Sequence, residues 1–104
     1  VLEFDSYQEK AWGFAMSSAK TTEYLIPGLG GEVGELQSLI AKSVRDGKDL
    51  SYADLSKELG DILWFVSSIA FFYGIPLSVI AEKNINKLDS RQQRGVIGGS
   101  GDNR

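Results

Sequence analysis

Between Leu59 and Tyr73 the chain offers a helix almost no polar side. Leu59, Ile62, Leu63, Trp64, Phe65, Val66, Ile69, Ala70, Phe71, Phe72 and Tyr73 run nearly all the way round it. A helix apolar on every side is buried on every side. In a single bundle of a few helices, one side of each faces outward. The pattern therefore predicts a helical bundle completed by oligomerisation. Trp64 and Phe71, opposite Leu59 and Val66, are the expected contacts with the partner. The stretch does not read as a membrane span. Asp61 and Lys83 bracket it, Gly74 and Pro76 interrupt it, and no apolar run reaches the ~18 residues a span needs.

The rest of the chain also carries a helical period. A first segment over 5–20 repeats Tyr7, Ala11, Phe14 and Ala15, with Ser6 as its cap. A second, over 27–45, opens at Pro27, a good first-turn residue, and carries Leu29, Val33, Leu36, Ile40 and Val44. Asp46-Gly47-Lys48 turns the chain. A third runs over 51–73, capped by Ser51 and stopped by Gly74. A fourth runs over 76–91 on Leu77, Ile80, Ala81 and Leu88. No stretch alternates with period two long enough to be a strand. The expectation is an all-α domain of about four helices over 1–94. A Gly-rich tail over 95–104 (GVIGGSGDNR) follows, too rich in glycine for a regular element.

Composition narrows the chemistry. The chain has 104 residues and neither Cys nor His, so disulfides, Cys or His metal sites, a Ser-His-Asp triad and a Cys nucleophile are all absent. Acid–base work near neutral pH falls to carboxylates, Lys, Tyr or a metal ion. Lys and Arg number 11 against 14 Asp and Glu, a formal net charge of −3, which disfavours a protein that coats a nucleic acid polymer. No secretory signal is visible, and a cytoplasmic location is the expectation.

Two helices repeat one acidic pattern. LGGEVGEL (29–36) and LSKELGDI (55–62) both place an acid, an apolar residue, a glycine and a second acid in the same order. The acids are Glu32 and Glu35 in one, Glu58 and Asp61 in the other, with residues 36–57 between, enough to end a helix, turn and begin an antiparallel neighbour. At about 100° per residue each pair shares a face. Glu32 and Glu35 lie on the flank of Leu39, and Glu58 and Asp61 on that of Phe65 and Phe72. The acids thus border the packed side, where four facing carboxylates repel. A divalent cation is the simplest remedy, and oxygen ligands without His or Cys suit Mg²⁺ or Mn²⁺. The di-iron carboxylate bundles need Glu-x-x-His and fall away. Gly34 and Gly60 take matching places inside the motifs, at a cost in helix propensity that suggests a close approach there.

These acids resemble the signature of the MazG-like nucleotide pyrophosphohydrolases. That family lies within the all-α NTP pyrophosphohydrolase superfamily, beside dCTP pyrophosphatases and dimeric dUTPases. The segment KELGDILWFVSSIAFFYGIPLSVIAEKNINKL is similar to the family's third and fourth helices. Asn84-x-x-Lys87-Leu88 with Arg91 resembles its phosphate-contacting stretch, and RGVIGGSGDNR the ending of its short members. Gly31 departs from the pattern, since many relatives carry another acid there.

The resemblance implies hydrolysis of a nucleoside triphosphate, usually a deoxynucleotide, to monophosphate and pyrophosphate by water attack at the α-phosphorus. It implies Mg²⁺, with Mn²⁺ as substitute, on Glu32, Glu35, Glu58 and Asp61, with Glu35, or else Glu32, accepting the water's proton. Asn84, Lys87, Arg91 and, more weakly, Lys42 would meet phosphate. Gln8 and Trp12, with Phe14, are the candidates to face the base. A homodimer or homotetramer is expected, with no membrane and no nucleic acid polymer as partner. Two alternatives stay open: a non-catalytic helical binding or regulatory module, and phosphoribosyl-ATP pyrophosphohydrolase-type cleavage. Composition alone favours a disordered glycine-rich ending; the alternative is that it folds back towards the triphosphate and brings Arg104 to it.

Overall fold

A computed structural model describes all 104 residues. It is all-helical: α1 (Phe4–Trp12), a 3₁₀ turn (Ser17–Ala19), α2 (Thr22–Asp46), α3 (Tyr52–Phe72) and α4 (Leu77–Gln93). No single helix is long and apolar enough to cross a membrane.

Three of the four helix stops follow one device. At Gly47, Gly74 and Gly95 the backbone enters the left-handed region, with φ of 63°, 73° and 71°. Each time, the glycine N–H bonds the carbonyl three residues back and the next N–H reaches five back: Ile75 donates to Ala70 at 2.8 Å, Val96 to Arg91 at 2.8 Å and Lys48 to Ser43 at 3.1 Å. These paired bonds satisfy carbonyls that a helix end leaves open. The starts are more varied. Thr21 and Ser51 cap α2 and α3, accepting from Tyr24 N–H and Asp54 N–H. Pro76 gives α4 no side-chain cap, and α1 supplies it instead. Asp5 accepts from Ser78 N–H at 2.9 Å and from its hydroxyl at 2.6 Å, and Gln8 Oε1 accepts from Leu77 N–H at 2.9 Å.

Two boundaries differ from expectation. The first segment is not one helix over 5–20. It starts before Ser6, breaks at Gly13, and resumes as the 3₁₀ turn. Gly13 weakens the helix, and Phe14 and Met16 beyond it are exposed, so no burial compensates. The second helix starts five residues ahead of Pro27, because the Thr21 cap comes first. The carbonyl that Pro27 cannot serve belongs to Glu23, an exposed residue of the first turn, where solvent has access.

Packing follows from these elements. α2 and α3 form the principal hairpin; α1 lies across α3; α4 turns 105° away from α3 and touches α1 and α3 but not α2. Ala11, Ala19, Leu25, Phe65, Ala70 and Leu77 form the buried core. Trp64 and Phe71, the residues expected to face a partner, both meet α1; Trp64 is half-buried and Phe71 stays partly exposed. Trp64 Nε1 donates to Ala11 O at 3.0 Å, and Phe71 stacks on Trp12 at 4.8 Å between ring centroids. α1 takes that side of α3 because its small Ala11 lets the helices close. What stays open is another stripe, on α2 and α3: Val33, Ile40, Val44, Leu59 and Leu63 are all exposed. Nothing in the chain approaches Gly34 or Gly60, where an added Cβ would meet open space.

Candidate active site

The α2–α3 seam brings Glu32, Glu58 and Asp61 together, with one carboxylate oxygen from each inside a 4.8 Å cluster. Glu32 and Glu58 are half-buried and Asp61 is exposed. Burial first, then the negative charge of Asp61, Glu58 and Glu35, pushes the Glu32 carboxyl above the ordinary glutamate range. Glu35 sits one turn further along α2, exposed and outside the three-oxygen cluster, but close enough to act on Glu32 through its charge. The ion pairs of the chain are Arg45–Asp46, Lys87–Asp102 and Arg91–Asp102, so no basic side chain neutralises these acids. An all-oxygen, uncompensated, partly desolvated cluster fits a hard divalent cation.

Tyr7 reaches the same region from α1. Burial and then the charge of Asp61 raise its phenol. With Leu2, Phe4 and Leu63 it lines a hollow of about 470 Å³. The sequence marked Tyr7 only as part of an apolar stripe, since nothing local ties α1 to the acids of α3.

The expected phosphate stretch lies along α4. Ile80, Lys83, Asn84 and Lys87 line one hollow of about 300 Å³. Lys83 was not foreseen, although its spacing of four from Lys87 places both on one helical face. Arg91 is buried, at 5% exposure. Its Nη2 donates to the backbone oxygen of Asp102 and, at 3.0 Å, to Oδ1; Lys87 Nζ donates to the same Oδ1 at 2.9 Å. These two donors hold the Asp102 carboxyl below the ordinary aspartate range. Because α4 makes no contact with α2, these cations do not join the Glu32 cluster through a shared helix seam. Lys42 lies elsewhere, in a groove at the α2–α3 turn with Ser43, Asp46 and Asp54.

The residues named for the base have other occupations. Gln8 is buried, and both its N–H groups are spent: Nε2 donates to Ser67 O at 3.2 Å and to Ile75 O at 2.9 Å. Trp12 stacks on Phe71, with Lys20 Nζ 5.5 Å from its ring centroid. Phe14 is exposed. Arg104 turns onto its own loop. Its guanidinium donates to the carbonyls of Val96, Ile97, Gly98 and Gly101.

The chain is thus an all-α protein of four helices, with an acidic cluster across the α2–α3 seam and two lysines on one face of the last helix. Residues 20–96 match the MazG nucleotide pyrophosphohydrolase domain, and the chain belongs to that family. It is also similar to "Gene 37 protein" of Mycobacterium phage L5, with 42% identity over 84% of this chain and 80% of that protein. No solved structure matches the chain significantly.

Proposed function

We propose that this protein is a divalent-cation-dependent nucleoside triphosphate pyrophosphohydrolase. It cleaves a deoxynucleoside triphosphate to the monophosphate and pyrophosphate. The observation that carries the reading is the cluster of Glu32, Glu58 and Asp61, free of any basic partner, in a chain of the MazG family. Glu32, Glu58 and Asp61 hold the cation, with Glu35 beside them. Bound there, Mg²⁺ offsets phosphate charge and polarises the phosphorus–oxygen bonds.

The chain's own groups do the rest. Glu35, exposed and outside the cluster, accepts the proton of the attacking water. The alternative, Glu32, has a carboxyl raised by burial and then by the charge of its neighbours, and its place inside the cluster makes it a ligand for the cation. Lys83 and Lys87 meet phosphate oxygens as point charges, and Asn84 adds a neutral donor. Tyr7, Phe4 and Leu63 offer an apolar wall beside the acids, a surface suited to a nucleobase or sugar.

The test is a panel of deoxynucleoside and ribonucleoside triphosphates with Mg²⁺, read as monophosphate and pyrophosphate. Asp61→Ala should abolish turnover while the protein stays folded. Full activity in excess EDTA would remove the cation from the mechanism.

A further inference from the structure

The stretch 95–104 is an organised loop. Its own Arg104 ties it, through hydrogen bonds to four carbonyls between Val96 and Gly101. Gly99 and Gly101, with φ of 95° and 89°, supply the left-handed turns that let those carbonyls converge. The closed loop presents Asp102 to α4. There its carboxylate sits on Lys87 and Arg91, and it is the acid that pairs with either cation.

The two halves of this contact are unequal. The Arg91 side chain is only 6% exposed, whereas that of Asp102 is 77% exposed. A buried guanidinium needs an anion beside it, and an exposed carboxylate loses little on leaving. Phosphate oxygens satisfy Arg and Lys as a carboxylate does, with more charge and more acceptors. Ile97 is exposed and Val96 only half-buried, so the loop buries little apolar surface in holding this place. The left-handed turn at Gly95 gives the loop a pivot.

We propose that Asp102 is a built-in substitute for phosphate: the Arg104-closed loop parks its carboxylate on Lys87 and Arg91, and the pyrophosphate end of a bound nucleotide displaces it. The proposal rests on the pyrophosphohydrolase reading for the identity of the displacing group. Substrate thus binds by anion exchange, and the loop swings out about Gly95 as phosphate enters.

Hydrogen exchange on the full-length wild-type chain tests this in EDTA, which leaves the acidic cluster without a cation. Inorganic pyrophosphate should speed exchange at the amides of 97–103 by about five-fold or more, while a deoxynucleoside monophosphate leaves them unchanged. In calorimetry, Asp102→Asn and Arg104→Ala should each bind pyrophosphate roughly three- to ten-fold more tightly than wild type, because the internal competitor is weakened. Slower or unchanged exchange with pyrophosphate, weaker binding by Asp102→Asn, or equal release by the monophosphate overturns the proposal. Turnover of triphosphates with Mg²⁺ is measured in parallel. Loop release without turnover would remove the enzyme reading and leave the anion exchange standing; turnover with an undisturbed loop would do the reverse.

Discussion

Gly28 lies against the ring of Phe65 so closely that a Cβ on it would stand 2.3 Å from Cε1. This is where α2 and α3 make their tightest approach through a glycine, four residues before Glu32. The buried Phe65 ring has no free space to yield. Gly28→Ala should therefore destabilise the fold by about 1–3 kcal/mol, despite alanine's better helix propensity. Chemical denaturation reads the loss, and a neutral or stabilised variant would mean the hairpin opens there at little cost.

Gln8 is a fastener between α1 and the α3–α4 turn. Gln8→Ala strands Leu77 N–H and the carbonyls of Ser67 and Ile75. A loss of about 2–4 kcal/mol is expected from such unmet groups. Below its lowered melting temperature the variant should keep the wild-type KM for every base tested. A base-selective rise in KM, without loss of stability, would return Gln8 to the substrate.

The Glu32 carboxyl is raised, so the native state holds its proton more firmly than the unfolded chain does. In that case stability falls as pH rises through the window above the ordinary glutamate value. Asp5, Asp46 and Asp102 are shifted the other way and lose their contribution only below the ordinary aspartate value. Metal-free protein should therefore gain stability as pH falls from neutrality towards the ordinary glutamate value and lose it below the ordinary aspartate value. Glu32→Gln should flatten the first limb and raise the metal-free melting temperature at pH 7 by roughly 2–5 °C. Mg²⁺ should stabilise wild type at pH 7 and lose that effect as Glu32 takes up its proton. Melting curves in EDTA and in Mg²⁺ give both results.

The stripe of Val33, Ile40, Leu59 and Leu63 is the surface expected to bind a second copy. Sedimentation at micromolar concentration should give a multiple of 11.4 kDa, and Leu59→Lys with Leu63→Lys should lower it. A monomeric wild type would leave that stripe in water.

Features with local causes were legible in the sequence. Ser51, Gly47 and Gly74 act on their own helix ends, so the α2–α3 hairpin and the facing acids followed from spacing alone. The partners of Gln8, Trp64 and Asp5 lie far along the chain, and no pattern within a helix announces them. The hydrogen bond from Trp64 to Ala11 on α1 was accordingly not foreseen. Tyr7 and Lys83 were missed for different reasons. Tyr7 depends on how α1 crosses α3, whereas Lys83 shares a helical face with Lys87 and was within reach. The loop closed by Arg104 was hidden by its composition, because glycines that permit disorder also permit a tight fold around one guanidinium.

Asp5 and Gln8 finish the start of a helix more than sixty residues further along the chain. During synthesis α1 leaves the ribosome first, yet its capping task begins only when Leu77 and Ser78 emerge. At about 5–20 residues per second that wait lasts on the order of several seconds. The first helix is too short to persist alone for that time. Closure of this fold is accordingly a late event, in which α1 and the start of α4 are ordered together.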